Sequence, residues 1–415
     1  MRAEIISIGD ELLIGQTINT NAAWMGAEMS KISFLITRMI SIPDKKEDIL
    51  KALSEAAGKV DVVLITGGLG PTSDDITKPV LCEFFETKLV NDEKVLRMIE
   101  EMLLRRNFSM NDNNRRQAEV PESCRVLYNA SGTAPGMWFE KQGTIFISMP
   151  GVPAEMKHLM KEHVIPELEK RFHSQVIIHK NIMTYGTAEA KLAETLTGFE
   201  AEMPESISLA YLPSYGIIKL RLTAIGTDRD LLRLQIDSQV RNLYRIIPDI
   251  IYAEDEETME MTTGRLLRTK NATLCTAESC TGGNIAHLIT SVAGSSEYYK
   301  GSVVAYDNSV KTGLLNVPEK LIEEHGAVSL EVAEAMALGI RTKSNTDIGI
   351  STTGIAGPTG GSPEKPVGLV WIGYSDNDET IALQFNFGGG RRIIKERAAQ
   401  AALELLRRKI LKIPG

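Results

Sequence analysis

Ser279 stands at the end of a short apolar run, in the stretch Thr276-Ala277-Glu278-Ser279-Cys280-Thr281-Gly282-Gly283. Residues 272–275 read as a strand, and the spacing of Ile285, Leu288, Ile289 and Val292 reads as a helix. Ser279 therefore falls on a strand-to-helix turn, where a hydroxyl would be exposed beside backbone N–H groups that lack helical acceptors. Thr281, Gly282 and Gly283 at the helix start suit a phosphate or the oxyanion of a tetrahedral intermediate. A Gly-rich connection without chemistry fits the same spacing. Cys280 is a rival nucleophile because a thiolate is the stronger attacker. A thiol beside a strand end is, however, commonly a buried packing group.

A second stretch, Thr66-Gly67-Gly68-Leu69-Gly70-Pro71-Thr72-Ser73-Asp74-Asp75-Ile76-Thr77, follows an apolar run at 62–65. Its three glycines let backbone N–H groups approach a ligand closely, and Pro71 stiffens the turn. Asp74 or Asp75 can cap the next helix or hold a divalent metal shared with a diphosphate. Gly9-Asp10-Glu11, Ser131-Gly132-Thr133-Ala134-Pro135-Gly136 and Met149-Pro150-Gly151-Val152-Pro153 are further turns of small, acidic or proline residues. Gly9-Asp10-Glu11 follows a strand directly, and the 149–153 turn lies between a strand and a helix. An open parallel sheet gathers its ligand at such strand ends.

The elements that must position these residues alternate. Strands are expected at 4–8, 35–40, 62–66 and 144–148, with helices at 21–31, 45–57 and, as one long element, 152–171. This pattern predicts a mostly parallel sheet covered by helices. A small α+β module is expected over 171–255, with strands at 175–183 and 217–224 and helices at 188–196 and 228–243. The acidic run Glu254-Asp255-Glu256-Glu257 is expected to cap a helix at 258–270. Strands near Thr273, Val303, Ile348, Val370 and Leu383 and a last helix at 392–410 complete an α/β C-terminal region. The expected domains are thus 1–170, 171–255 and 256–415.

The 415-residue chain carries a net charge of −8 and has ordinary hydrophobic content, which argues against a dedicated nucleic-acid binder. Its four cysteines, Cys82, Cys124, Cys275 and Cys280, form no CxxC pair, so reduced thiols are expected. The N-terminus runs straight into a strand without a signal-peptide core, and no stretch would span a membrane. A cytoplasmic protein is expected.

The motifs GDELLIGQTINTN, TGGLGPTSDDIT, NRRQAEVP, SGTAPG and MPGVPAEM, in this order, resemble the N-terminal domain of the CinA family. That domain is similar to molybdopterin-binding domains. The resemblance implies metal-dependent hydrolysis of ADP-ribose to AMP and ribose 5-phosphate, with Mg, Mn or Co as the ion. It implies Asp10, Asp74 and Asp75 as metal or acid/base candidates, with the ligating carboxylate left open. Gly67, Gly68, Gly70, Thr72, Thr77, Gly132 and Gly151 would line the substrate. Molybdopterin binding is the competing reading.

TAESCTGG, AGSSEYYKGSVVAYDNSVK, HGAVS, STTGIAGPTGG and EKPVGLVW resemble the family's C-terminal domain. This implies deamidation of nicotinamide mononucleotide without a cofactor. Amide hydrolysis needs a nucleophile, a base and an oxyanion hole. Ser279 is the preferred nucleophile. Histidine is the usual first guess for the base, but His287 should point away and His325 reads as a turn. The resemblance places Lys311 as base, which requires a lowered pKa, with Tyr306 relaying the proton or orienting the amine. Thr353, Gly354 and the 357–361 loop would form the opposite wall, and Gly388-Gly389-Gly390-Arg391-Arg392 an anion clamp around Arg391.

The middle module, with Tyr185-Gly186-Thr187-Ala188-Glu189-Ala190-Lys191, resembles the family's KH-like domain but lacks the GxxG loop that clamps RNA. It reads as a spacer and dimer element, and a homodimer is expected. A recruitment or regulatory role linked to competence or DNA damage is the alternative to enzyme function.

Overall fold

A computed structural model describes residues 1–72, 75–105, 107–172, 176–214 and 216–414. The chain divides into two compact units, 1–178 with 224–233, and 179–223 with 234–415.

The N-terminal sheet contains β1 (Arg2–Ile8), β2 (Leu35–Ile42) and β3 (Val62–Thr66). The short β4 (Leu89–Asn91) and β5 (Glu119–Pro121) pair with each other outside it. β6 (Arg125–Leu127), β7 (Gly136–Lys141) and β8 (Thr144–Met149) complete the order β2-β1-β3-β8-β7-β6. The first four strands in that order are parallel, whereas β7 pairs antiparallel with both β8 and β6. Alternate side chains separate two cores, as the pleat requires. Ile5, Leu64 and Ile147 pack with Met25, Met29 and Met156, while Ile6, Val63 and Phe146 pack with Ile49, Leu53 and Leu81.

The long helix expected at 152–171 is interrupted. Helix Pro153–Leu159 passes through a π turn, Met160–Val164, into helix Ile165–Arg171. Pro166 has no N–H for the α-helical ladder, and a π turn at this point accommodates the missing donor.

In the middle module, β9 (Val176–Tyr185), β10 (Ile207–Ser214), β11 (Ile217–Gly226) and β12 (Ile251–Glu254) form a sheet ordered β10-β11-β9-β12. The acidic run does not cap the following helix as expected. Glu254 and Asp255 instead hold Lys180 at 2.6 and 2.7 Å, and Glu257 pairs with Arg265 at 3.0 Å. The acidic residue in that helix's first turn is Glu260.

The C-terminal sheet contains β13 (Leu274–Glu278), β14 (Tyr299–Val304), β15 (Ile348–Gly354), β16 (Leu369–Ser375) and β17 (Thr380–Asn386). Its order is β14-β13-β15-β16-β17, with β14, β13 and β15 parallel and the last two antiparallel. Helix Arg391–Leu411 covers one face through Ile394, Ala398 and Leu406, which pack with Ile350 and Ile372. Helix Leu330–Ser344 covers the other face, where Met336 and Ile340 meet Cys275 and Ala277. The buried Arg407 pairs with Glu404 at 2.7 Å and donates to the carbonyls of Asp249 and Ile251. This joins the entry to β12 to the last helix.

Both large sheets reverse direction beside their first strand. The chain leaves β1 for β2 on one side and returns to β3 on the other, and β13, β14 and β15 repeat the pattern. A crevice is expected outside the carboxyl ends at each reversal. The four cysteines are free thiols, and no described helix is long and apolar enough to cross a membrane.

Candidate active sites

Parallel pairing sets Glu278 level with Val304 on β14 and Thr352 on β15, so Ser279 emerges between two strand ends. Its N–H donates to Thr352 O at 2.9 Å, and Gly282 N–H closes the turn onto Ser279 O at 3.1 Å. Gly282 and Gly283 have φ of 60° and 89°, a region that favours glycine. Ser279 is only 8 % exposed, deeper than the open hydroxyl expected from sequence.

The buried Glu278 carboxylate accepts from the N–H groups of Ile285 (3.0 Å) and Ala286 (2.8 Å). It caps the helix Asn284–Thr290 from the preceding strand. The helix start expected to receive phosphate therefore has these donors engaged by the protein itself. Thr281 Oγ1 and Thr352 Oγ1 share a buried 2.7 Å hydrogen bond. Cys280 is buried, and burial pushes its thiol up to about 12. Burial therefore favours its protonated form over the nucleophilic thiolate.

Lys311 lies on helix Asn308–Leu315 and is 2 % exposed. Its Nζ donates to Ala305 O at 2.9 Å and Tyr306 O at 3.1 Å. Burial lowers its pKa, opposed by the nearby Asp307 and Cys280. It is burial that favours the neutral amine, since carbonyl acceptors by themselves would favour the ammonium. His287 is exposed, and His325 lies 3.6 Å from Glu331 with its backbone O accepting from Lys365.

Tyr306 and Arg391 come together. Arg391 donates to Tyr306 Oη at 3.1 Å and to Gly357 O at 2.8 Å, so it braces two loops instead of standing open as an anion clamp. Arg392 is largely solvated and pairs with Glu396 at 3.4 Å. Thr353 donates to Ala327 O at 2.6 Å. Gly354 is required by packing, because a Cβ there would lie 2.6 Å from Leu369 O on β16. A cation that sequence reasoning passed over, Lys395, reaches the turn: a Cβ on Gly282 would lie 3.3 Å from its Nζ. Nothing in its spacing distinguishes it from a solvated helix lysine.

The N-terminal crevice has a volume of about 370 Å³ and is bounded by the ends of β1, β3 and β8. Gly67 has φ 106°, and a Cβ on it would lie 2.1 Å from Ile8 O. Gly151 faces it, with its ideal Cβ 3.6 Å from Gly67 Cα. Thr77 is fully buried and braces the glycine loop, its hydroxyl donating to Gly67 O and its N–H to Gly68 O. Thr72 donates through N–H and hydroxyl to Asp75 Oδ2, and Gly70 packs against the same carboxylate. Gly132 packs against Glu155. Asn21 donates to Gly151 O at 2.7 Å, tying a helix start to the crevice.

Asp75 lines this crevice together with Glu11, Asp44 and Glu155. Asp10 does not; its N–H donates to Asp44 at 3.2 Å, and its neighbour Glu11 takes the lining position. Asp74 lies outside the described residues. Among the described residues no three His, Cys, Asp or Glu converge as a metal cage. The donor set fits an ion carried by a diphosphate, which needs one or two protein carboxylates. Lys78, also unforeseen, is buried on helix Thr77–Phe84 and donates to Gln117 O and Glu119 O, both at 2.9 Å. Burial lowers its pKa to about 8.

Three family models match the chain in succession. A probable molybdopterin binding domain matches residues 4–170, the damage-inducible protein CinA KH domain 179–253, and the CinA C-terminal domain 256–410. A CinA-like protein from Cytophaga hutchinsonii is 46% identical over 411 residues, covering 99% of this chain and 98% of that one. A CinA-like protein from Salinibacter ruber is 42% identical, covering 99% and 100%. Among solved structures, the protein CinA from Thermoplasma acidophilum is 34% identical with a TM-score of 0.37, covering 41% of this chain and 96% of that one.

Proposed function

We propose that this chain, which belongs to the CinA family, hydrolyses the carboxamide of nicotinamide mononucleotide at its C-terminal site and ADP-ribose at its N-terminal crevice. The observation that carries the first activity is Lys311: a buried lysine, held by two carbonyls and, among the described residues, by no carboxylate salt bridge, and near enough to Cys280, the neighbour of Ser279, for their charges to interact. Such burial favours the neutral amine that a base must be.

Ser279 Oγ attacks the carboxamide carbon, and its proton passes to Lys311 Nζ. The tetrahedral intermediate collapses as the C–N bond breaks, and the leaving nitrogen takes that proton to depart as ammonia. Water then attacks the acyl-serine, again giving its proton to Lys311, and nicotinic acid mononucleotide leaves as Ser279 is reprotonated. Ser279 and Gly282 N–H groups are engaged by Thr352 O and Ser279 O, whereas Gly283 N–H has no acceptor among the described residues. Gly283 is therefore one of the turn donors available to developing charge. Tyr306, held by Arg391, orients the loop whose carbonyl holds Lys311.

For the N-terminal crevice, the reading rests on glycine backbone packed close around a space lined by carboxylates. Gly67 and Gly151 leave room for a diphosphate, and Asp75 with Glu11 would hold a divalent ion carried by it. When bound, that ion would neutralise phosphate charge and activate water. The protein's own part is to fix the loop, through Thr77 and Thr72, against that charge.

Incubation of the purified protein with each substrate, with and without Mg²⁺ or Co²⁺, tests both assignments. Ammonia from nicotinamide mononucleotide without added metal and AMP from ADP-ribose only with metal are expected. Activity lost in Cys280→Ala but kept in Ser279→Ala would reassign the nucleophile. Tight binding of molybdopterin with no AMP release would replace the second reading.

A further inference from the structure

The sequence offers several phosphate ligands for the deamidase site, and the fold engages most of them elsewhere. Glu278 occupies the first N–H groups of the helix after Ser279. Arg391 is held by Gly357 O and Tyr306 Oη, Arg392 by Glu396, and Arg397 by Gly388 O. Thr353 is committed to Ala327 O.

Lys395 differs from all of these. It is half-buried on the second turn of helix Arg391–Leu411, on the same face as Arg391 four residues earlier. Its Nζ has no hydrogen bond or ion pair among the described residues. It reaches the Ser279 turn at Gly282, where positive φ and the missing side chain leave the backbone open. Gly282 is exposed, so a ligand can arrive there from solvent. The Gly283 N–H is the next residue along. A half-buried ammonium without a counter-charge, beside an open glycine turn, is the arrangement that binds an anion.

We infer that Lys395 is the anchor for the substrate's 5′-phosphate, so that this residue makes the site prefer a mononucleotide over the nucleoside. The inference rests on the deamidase reading for its substrate, but anion binding at Lys395 can be measured without turnover. One charge-assisted hydrogen bond corresponds to about tenfold to a hundredfold in affinity.

The experiment uses the full chain as wild type, Lys395→Met and Lys395→Arg. Ammonia release is followed from nicotinamide mononucleotide and from nicotinamide riboside, and nicotinic acid mononucleotide is titrated calorimetrically. In Lys395→Met, KM for the mononucleotide should rise about tenfold to a hundredfold with kcat nearly unchanged. KM for the riboside should not move, and Lys395→Arg should restore most of the preference. A fall in kcat with KM intact would make Lys395 an acid or base and overturn the anchor. Equal loss for nucleotide and riboside would make it structural and overturn it as well. If wild type releases no ammonia, the deamidase reading fails. The anchor then stands only if nicotinic acid mononucleotide binds wild type and is lost in Lys395→Met; equal binding, or none to wild type, overturns it.

Discussion

Among the described residues, each of the two α/β domains buries one lysine on a helix that follows a sheet strand, and the two are held in the same way. Lys78 donates to Gln117 O and Glu119 O, and Lys311 donates to Ala305 O and Tyr306 O. Among the described residues neither has a carboxylate salt bridge, and burial lowers the pKa of both. Their surroundings differ. The N-terminal crevice is lined by carboxylates and bare glycine backbone. The C-terminal turn carries hydroxyls, with Lys395 at its edge and Arg391 bracing the loops of Gly357 and Tyr306. An acidic crevice suits an anion that arrives with its own cation, whereas a basic one suits a bare phosphate. The same device therefore serves different ends. Lys78 ties the end of helix Asp112–Gln117 to β5, while Lys311 holds the segment between β14 and its own helix and, under the proposed reading, serves as the base.

The largest expected effect tests whether the sites are independent. Ser279→Ala should reduce ammonia release by about 10⁴-fold or more while ADP-ribose hydrolysis continues. A joint loss of both activities would break the comparison.

Lys311→Met should lower kcat by about 10² to 10⁴-fold. In wild type, the deamidase rate should rise with pH as Lys311 loses its proton, and level off below the ordinary lysine value of 10.5. A pH-independent rate would remove Lys311 as base.

Gly67→Ala places a Cβ 2.1 Å from Ile8 O at a positive φ. It should cost about 1–3 kcal/mol of backbone strain and about a hundredfold or more in ADP-ribose hydrolysis, with ammonia release unchanged. Separate assays of the two substrates would show this.

The last effect is on stability. Lys78 titrates near 8 when folded and near 10.5 when unfolded, so the unfolded chain binds more protons between those values. Glu119, Cys124, Asp75 and Cys82 are the titratable groups that act on it. Urea unfolding of wild type relative to Lys78→Met should show stability rising by about 3 kcal/mol from pH 8 to 10.5, and flat below pH 8. A flat difference throughout would mean that Lys78 is well solvated.

Much of the fold was legible because strand and helix periods are local. Val62–Thr66 is a wholly buried strand as its apolar run predicts, and the turns at 67–70 and 279–283 follow their strands. The antiparallel β6 and β7 were not legible, because strand direction depends on partners distant in sequence. The site was legible in part. Gly67, Gly68, Asp75, Ser279 and Lys311 all lie at strand ends or on the elements that follow them. Asp10 yielded its lining position to Glu11, since two adjacent acidic residues on a short helix turn point differently and sequence cannot choose between them.

By itself the sequence determined the succession of the strands and helices that lead into both candidate sites, the glycines that permit positive φ, and the family to which the chain belongs. These are properties of short segments and of their succession. The tertiary structure alone decided which polar groups remain available. Glu278 engages the helix donors, Arg391 is drawn into bracing loops, and Lys395, beside Gly282, has no partner among the described residues. Availability depends on what the rest of the chain brings within hydrogen-bond distance. No local pattern encodes that, because the competing acceptors come from residues tens of positions away.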